Sequence, residues 1–67
     1  SLAEAASRED REDQVERATG LVLARHGVPE DDGERARALS FLTRRGYDYE
    51  LAYDAIRRAE DGGRRAA

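Results

Sequence analysis

The sequence predicts an all-α fold, a compact three-helix bundle formed by residues 9–61. Three segments carry apolar residues at helical spacing, loops rich in glycine and aspartate separate them, and the sequence lacks the apolar–polar alternation of strands. At 67 residues the chain has room for one domain, whose core is expected to supply only about 3–5 kcal/mol.

The first helix is predicted to run from about Glu9 to His26, where Gly27 and Pro29 stop it. Segment 1–8 is rich in alanine and serine without a sustained apolar face, so it is expected to be disordered or frayed. Val28 is expected to reach the core from the following loop. The core stripe of this helix consists of Val15, Ala18, Leu21 and Val22.

The second helix is predicted from about Gly33 to Arg45. Asp31 or Asp32 is suited to cap its first turn, because a carboxylate accepts from unpaired amides there. Gly46 is the expected residue after the helix, since it adopts positive φ without a Cβ clash. The core stripe consists of Ala38, Leu39 and Leu42, with Phe41 at one edge.

The third helix is predicted to start after Asp48 as N-cap and to end near Glu60. Tyr47 is placed to pack on Ala52 as a hydrophobic staple. Two glycines then open a flexible tail, residues 62–67. The core stripe consists of Leu51, Ala52, Ala55, Ile56 and Ala59.

Composition excludes several classes of protein. Cysteine is absent, which excludes disulfides and thiolate metal sites, and no apolar run approaches the roughly 18 residues of a membrane span. No secretory signal precedes the first helix, so a cytoplasmic location is expected. Methionine is also absent, so we expect that Ser1 is not the native start and that the chain is a processed or excised piece.

Catalytic and metal chemistry find little support in the sequence. His26 is the only histidine, and its place near a helix end favours a structural role over that of a base or ligand. The acidic run Glu30–Asp32 does not open a calcium loop, because Phe41 occupies the position of the bidentate glutamate. We therefore expect a non-enzymatic domain without metal, cofactor or small-molecule substrate.

Arginines on the outward faces of the second and third helices are the candidate binding residues. The chain has a net charge of −3, yet residues 33–67 hold eight arginines against six acids. Such a strip suits phosphates or an acidic protein groove, and an ordinary solvated face is the alternative. The strip consists of Arg37, Arg44, Arg45, Arg57 and Arg58.

Tyr49 and Tyr53 lie one turn apart at the edge of the third apolar stripe. Packing at the rim of the core is one interpretation. Contact with a partner is the other, since tyrosine is enriched at binding hot spots.

The segment from Arg37 to Arg58 resembles the final three-helix repeat of RecX proteins. Similar features are a leucine before two basic residues, then glycine, an aromatic residue and a helix cap, and finally an apolar–basic turn. In this chain they are Leu42, Arg44, Arg45, Gly46, Tyr47, Asp48, Ile56, Arg57 and Arg58. Residues Val15–Arg25 are similar to the opening helix of such a repeat.

The resemblance implies a single RecX-like repeat that binds the RecA–DNA filament, a protein partner, and inhibits recombinase activity in DNA repair. DNA would then be contacted indirectly, through the filament. Two alternatives stay open: a general helical protein-interaction module of the ubiquitin-associated shape, and a small DNA-binding helical domain.

Overall fold

Three helices make up the chain in a computed structural model, which describes the backbone of residues 2–66 and the side chains of residues 10–62. They are α1 (Leu2–Arg25), α2 (Asp32–Arg44) and α3 (Tyr49–Ala66). The third helix packs on both others, most extensively on α1. The predicted all-α three-helix bundle is thus confirmed.

The first and third helices, α1 and α3, are both longer than predicted. α1 begins at Leu2 rather than near Glu9, because alanine, leucine and glutamate have high intrinsic helix propensity. The expected stop at Gly62 is wrong, since α3 continues to Ala66; glycine weakens a helix by about 1 kcal/mol but does not block it sterically as proline does. The expected disorder or fraying of residues 1–8 and the flexibility of the tail, residues 62–67, stay predictions. Ser1 and Ala67 lie outside the described residues, as do most side chains of these two segments.

One apolar face of each helix forms the core, whose ten members are at most 2% exposed. They are Val15, Ala18 and Val22 from α1, Ala38 and Leu42 from α2, and Leu51, Ala52, Ala55, Ile56 and Ala59 from α3. Partly buried side chains close the rim: Leu21, Leu39, Phe41 and Tyr47. The three predicted stripes are confirmed, and the many alanines let the helices approach closely.

Carboxylates cap the second and third helices as predicted. Asp31 is the N-cap of α2 and accepts from the amide of Glu34 at 2.8 Å. The Glu34 side chain in turn accepts from the amide of Glu30 at 2.7 Å. Asp48 accepts from the amide of Leu51 at 2.9 Å and so begins α3. The bonds from the Glu34 and Leu51 amides satisfy donors that the first turn of a helix leaves unpaired.

The junction between α2 and α3 is a Schellman motif. Gly46 has a φ of 104°, its amide donates to the Thr43 carbonyl at 3.1 Å, and the Tyr47 amide donates to the Leu42 carbonyl at 3.2 Å. The Tyr47 side chain packs against the core that contains Leu42, which is the apolar contact that accompanies this motif. Four residues, 45–48, therefore connect the two helices.

The loop after α1 departs from prediction at Val28. Gly27 ends the helix with a φ of 74°, but Val28 is 38% exposed and Pro29 is buried in its place. The chain bends at Val28, and the proline ring rather than the valine side chain fills the inward position.

Candidate functional site

A basic pocket lies where the end of α1 meets the outward side of α2. We use this name for the concave surface of about 590 Å³ that carries four arginines around one phenylalanine. Its residues are Arg25, His26, Ala36, Arg37, Ser40, Phe41, Arg44 and Arg45. Three of the predicted strip residues, Arg37 and Arg44 on α2 and Arg45 at its C-cap, therefore share one surface.

Phe41 organises the side chains of the basic pocket. The guanidinium carbon of Arg45 lies 5.1 Å from the centre of its ring, and that of Arg25 lies at 6.0 Å. His26 meets the same ring in an edge-on arrangement with centroids 5.2 Å apart. Because a cation is attracted to an aromatic face, Phe41 holds two positive groups close together that would otherwise repel.

Carboxylates neutralise other arginines but not those of the basic pocket. Among the side chains of residues 10–62, the arginines that form ion pairs are Arg11, Arg35 and Arg58. The pocket is therefore a local concentration of positive charge that no carboxylate within residues 10–62 pairs with, on a chain whose net charge is −3.

Arg58 lies apart from the basic pocket, so the predicted arginine strip is not continuous. Its guanidinium donates to both carboxylate oxygens of Glu12, at 2.9 and 2.6 Å. These hydrogen bonds hold the pKa of Glu12 below its ordinary value and raise that of Arg58. Arg57 is exposed on α3 and does not line the pocket either. Two of the five strip residues thus face elsewhere.

Tyr49 and Tyr53 form a second surface, which we call the tyrosine patch. Their rings stack with centroids 6.2 Å apart and an angle of 26° between the planes, and they are 62% and 41% exposed. A depression of about 330 Å³ beside them is completed by Arg11, Glu50 and Asp54. The two tyrosines therefore lie outside the core, as a partner-contact role requires, and partner binding by them stays a prediction.

The basic pocket contains a serine and a histidine, which raises the question of nucleophilic catalysis. Ser40 and His26 both line it, but no hydrogen bond joins them among the side chains that the structure describes. No carboxylate lines this pocket to orient the imidazole, as the acid of a Ser–His–Asp triad does. The arrangement suits the binding of an anion better than acyl transfer.

Sequence reasoning missed that Arg25 and His26 belong with the α2 arginines. Helical spacing relates residues within one helix, whereas this pocket depends on how the loop of residues 26–31 returns the chain beside α1. The signal that was available is local: Arg25 stands in the last turn of α1, and the buried Pro29 makes the return tight.

None of the helices within residues 2–66 combines the length and apolar character that a bilayer crossing requires. Comparisons with models of protein families, with curated proteins and with solved structures find nothing that matches this chain.

Proposed function

We propose that this domain is a regulatory binding repeat that attaches to the RecA–DNA filament and lowers recombinase activity, in the manner of a RecX repeat. The observation that carries the proposal is the junction from Leu42 to Tyr47. There the two basic residues, the glycine and the aromatic residue that resemble the RecX pattern each have a distinct physical task.

The task of Gly46 is conformational, because its φ of 104° is costly for any residue with a Cβ. Tyr47 returns to the core, while Arg44 and Arg45 stay exposed at the end of α2. The pattern therefore joins a fold requirement to a pair of outward cations. This combination suits a repeat that presents positive charge to a partner from a helix end.

The basic pocket supports a contact through Arg37, Arg44 and Arg45. Positive charge without carboxylate partners speeds association with an acidic surface and selects against basic ones. Arg58 is less suited to the same contact, since leaving Glu12 would cost it a bidentate hydrogen bond.

The test is the DNA-dependent ATPase of RecA, measured while the chain is added up to an equimolar amount. We expect inhibition that increases with concentration, and Arg44→Glu should weaken it. Arg17→Glu is the matched control, because Arg17 is exposed on α1 away from the basic pocket. Unchanged ATPase activity at equimolar chain would refute the proposal.

A general protein-interaction module is the second candidate, and the tyrosine patch favours it. Two exposed, stacked tyrosines beside a small depression are typical of a docking surface. Inhibition of the RecA ATPase by the chain would decide against this candidate. Binding of a different protein that Tyr49→Ala abolishes, without any effect on RecA, would decide for it.

A further inference from the structure

We propose that the basic pocket is a binding site for a short acidic segment of another polypeptide, which places two or more carboxylates among the four arginines. The inference depends on the geometry of the pocket and not on the identity of the partner. It can therefore hold or fail separately from the proposed action on RecA.

The first step of the argument is the charge of the pocket. Arg25, Arg37, Arg44 and Arg45 all line it, and none of them is paired with a carboxylate among the side chains of residues 10–62. Like charges held this close raise each other's energy, and an entering dianion relieves that repulsion. Each guanidinium also offers a planar set of donors that matches a carboxylate.

The second step is preorganisation. Arg45 and Arg25 lie against the ring of Phe41 at 5.1 and 6.0 Å from its centre. Phe41 is itself partly buried against the core, so its position is set by the fold. Two of the four cations are therefore held in place before a ligand arrives, which reduces the entropy lost on binding.

The third step distinguishes carboxylates from a nucleic acid. A single-stranded nucleic acid usually adds base stacking on an aromatic face to its phosphate contacts. Here the Phe41 ring is already contacted by Arg25, Arg45 and the edge of His26. The chain as a whole carries a net charge of −3, so a long polyanion is repelled by the molecule while the positive charge is local to the pocket. A short acidic segment meets only the pocket.

The size of the site agrees with this ligand. The concave surface of about 590 Å³ has room for a few side chains. Ser40 and His26 add a hydroxyl and an imidazole at its wall, which are donors for the remaining carboxylate oxygens. The expected ligand is therefore a segment with neighbouring Asp or Glu residues.

The test is fluorescence anisotropy with a labelled eight-residue Glu-rich peptide, its Gln counterpart and a single-stranded oligonucleotide of equal charge. We expect the Glu peptide to bind most tightly and its affinity to fall as salt is raised, because exposed charges are screened. Arg44→Gln and Arg45→Gln should each weaken it about fivefold, the loss of one charge-assisted contact. Arg17→Gln, which removes the same charge outside the pocket, should change the affinity less than about twofold.

Three results would overturn the inference. The first is that the Glu peptide binds no better than its Gln counterpart. The second is that the affinities of the pocket variants equal that of Arg17→Gln. The third is that the oligonucleotide binds more tightly than the Glu peptide through the same arginines. Far-UV circular dichroism of each variant shows that the helices persist, and all three substitutions are at exposed positions. RecA is absent from this assay, so its outcome does not depend on the ATPase test.

Discussion

Glu12 and Arg58 form a bidentate ion pair between α1 and α3, with nitrogen–oxygen distances of 2.9 and 2.6 Å. The neighbouring residue on α1, Arg11, binds Asp54 one turn earlier on α3 at 2.8 Å. The two pairs have opposite polarity. A slip of α1 by one residue would therefore bring like charges together, so the pairs favour a single register of the two helices.

The first prediction concerns Glu12→Gln and pH. Since Arg58 lowers the pKa of Glu12 in the folded state, the stabilisation exists above the ordinary value of 4.5 and is lost as pH falls through the lower folded value. We expect Glu12→Gln to melt at a lower temperature than the natural sequence near neutral pH, and the difference to vanish in acid. The effect will be small because both side chains are about half exposed.

Thermal melts followed by circular dichroism at several pH values measure this difference. Asp13→Asn is the control, an exposed carboxylate on the same helix. A Glu12→Gln difference that persists unchanged in acid would show that its cause is not the ionised pair.

The second prediction concerns the core residue Leu42. It is fully buried where all three helices meet their common core, so Leu42→Ala leaves a cavity and should cost about 2–5 kcal/mol. A domain this small has about that much stability in total. We expect most of the helical circular dichroism signal at 222 nm to disappear at about 25 °C.

Leu23→Ala is the matched control for that experiment. Leu23 is 42% exposed, and its truncation should change the free energy of unfolding by less than about 0.5 kcal/mol. Equal destabilisation by the two substitutions would contradict the packing described above.

The third prediction contrasts two glycines. Gly46 has a φ of 104°, so Gly46→Ala should destabilise the domain by about 1–2 kcal/mol through backbone strain alone, since no atom beyond its two chain neighbours lies within 4 Å of the added Cβ. Gly20 is helical and equally open, so Gly20→Ala should stabilise it by about 0.5–1 kcal/mol. Urea unfolding measures both changes, and shifts of the same sign would argue against the Schellman junction.

The fourth prediction concerns the cap of α3. Asp48→Ala removes the acceptor of the Leu51 amide and should cost about 0.5–2 kcal/mol in urea unfolding. Asp48→Asn keeps an acceptor oxygen and should retain most of the stability. If the asparagine variant is as unstable as the alanine variant, the side chain contributes through its charge rather than through the cap.

Helix positions and the core followed from the sequence because local rules decide them. Apolar spacing identified the buried faces, and the types of Asp31, Gly46 and Asp48 marked the ends of α2 and the start of α3. The prediction failed at two places. Pro29 rather than Val28 is buried in the loop after α1, and α3 continues past Gly62 because glycine weakens a helix without blocking it.

The candidate site was predictable only within single helices. Arg37 and Arg44 were recognised as outward residues of α2 because helical spacing places them there. Arg25 lies beside them because of the path of the loop after α1, which the spacing of residues within a helix does not predict. Arg58 lies apart from the basic pocket, where it binds Glu12, 46 residues away in sequence. Contacts between distant residues are therefore what sequence patterns failed to predict.

Binding of the chain to assembled RecA filaments tests the central claim most directly. Filaments formed on single-stranded DNA are sedimented with a labelled sample of the chain, and the fraction in the pellet is measured. Our account predicts saturable pelleting that Arg44→Glu reduces and Arg17→Glu leaves intact. A chain that stays in the supernatant at filament concentrations of about 10 μM, well above the dissociation constant of a typical specific complex, would contradict it.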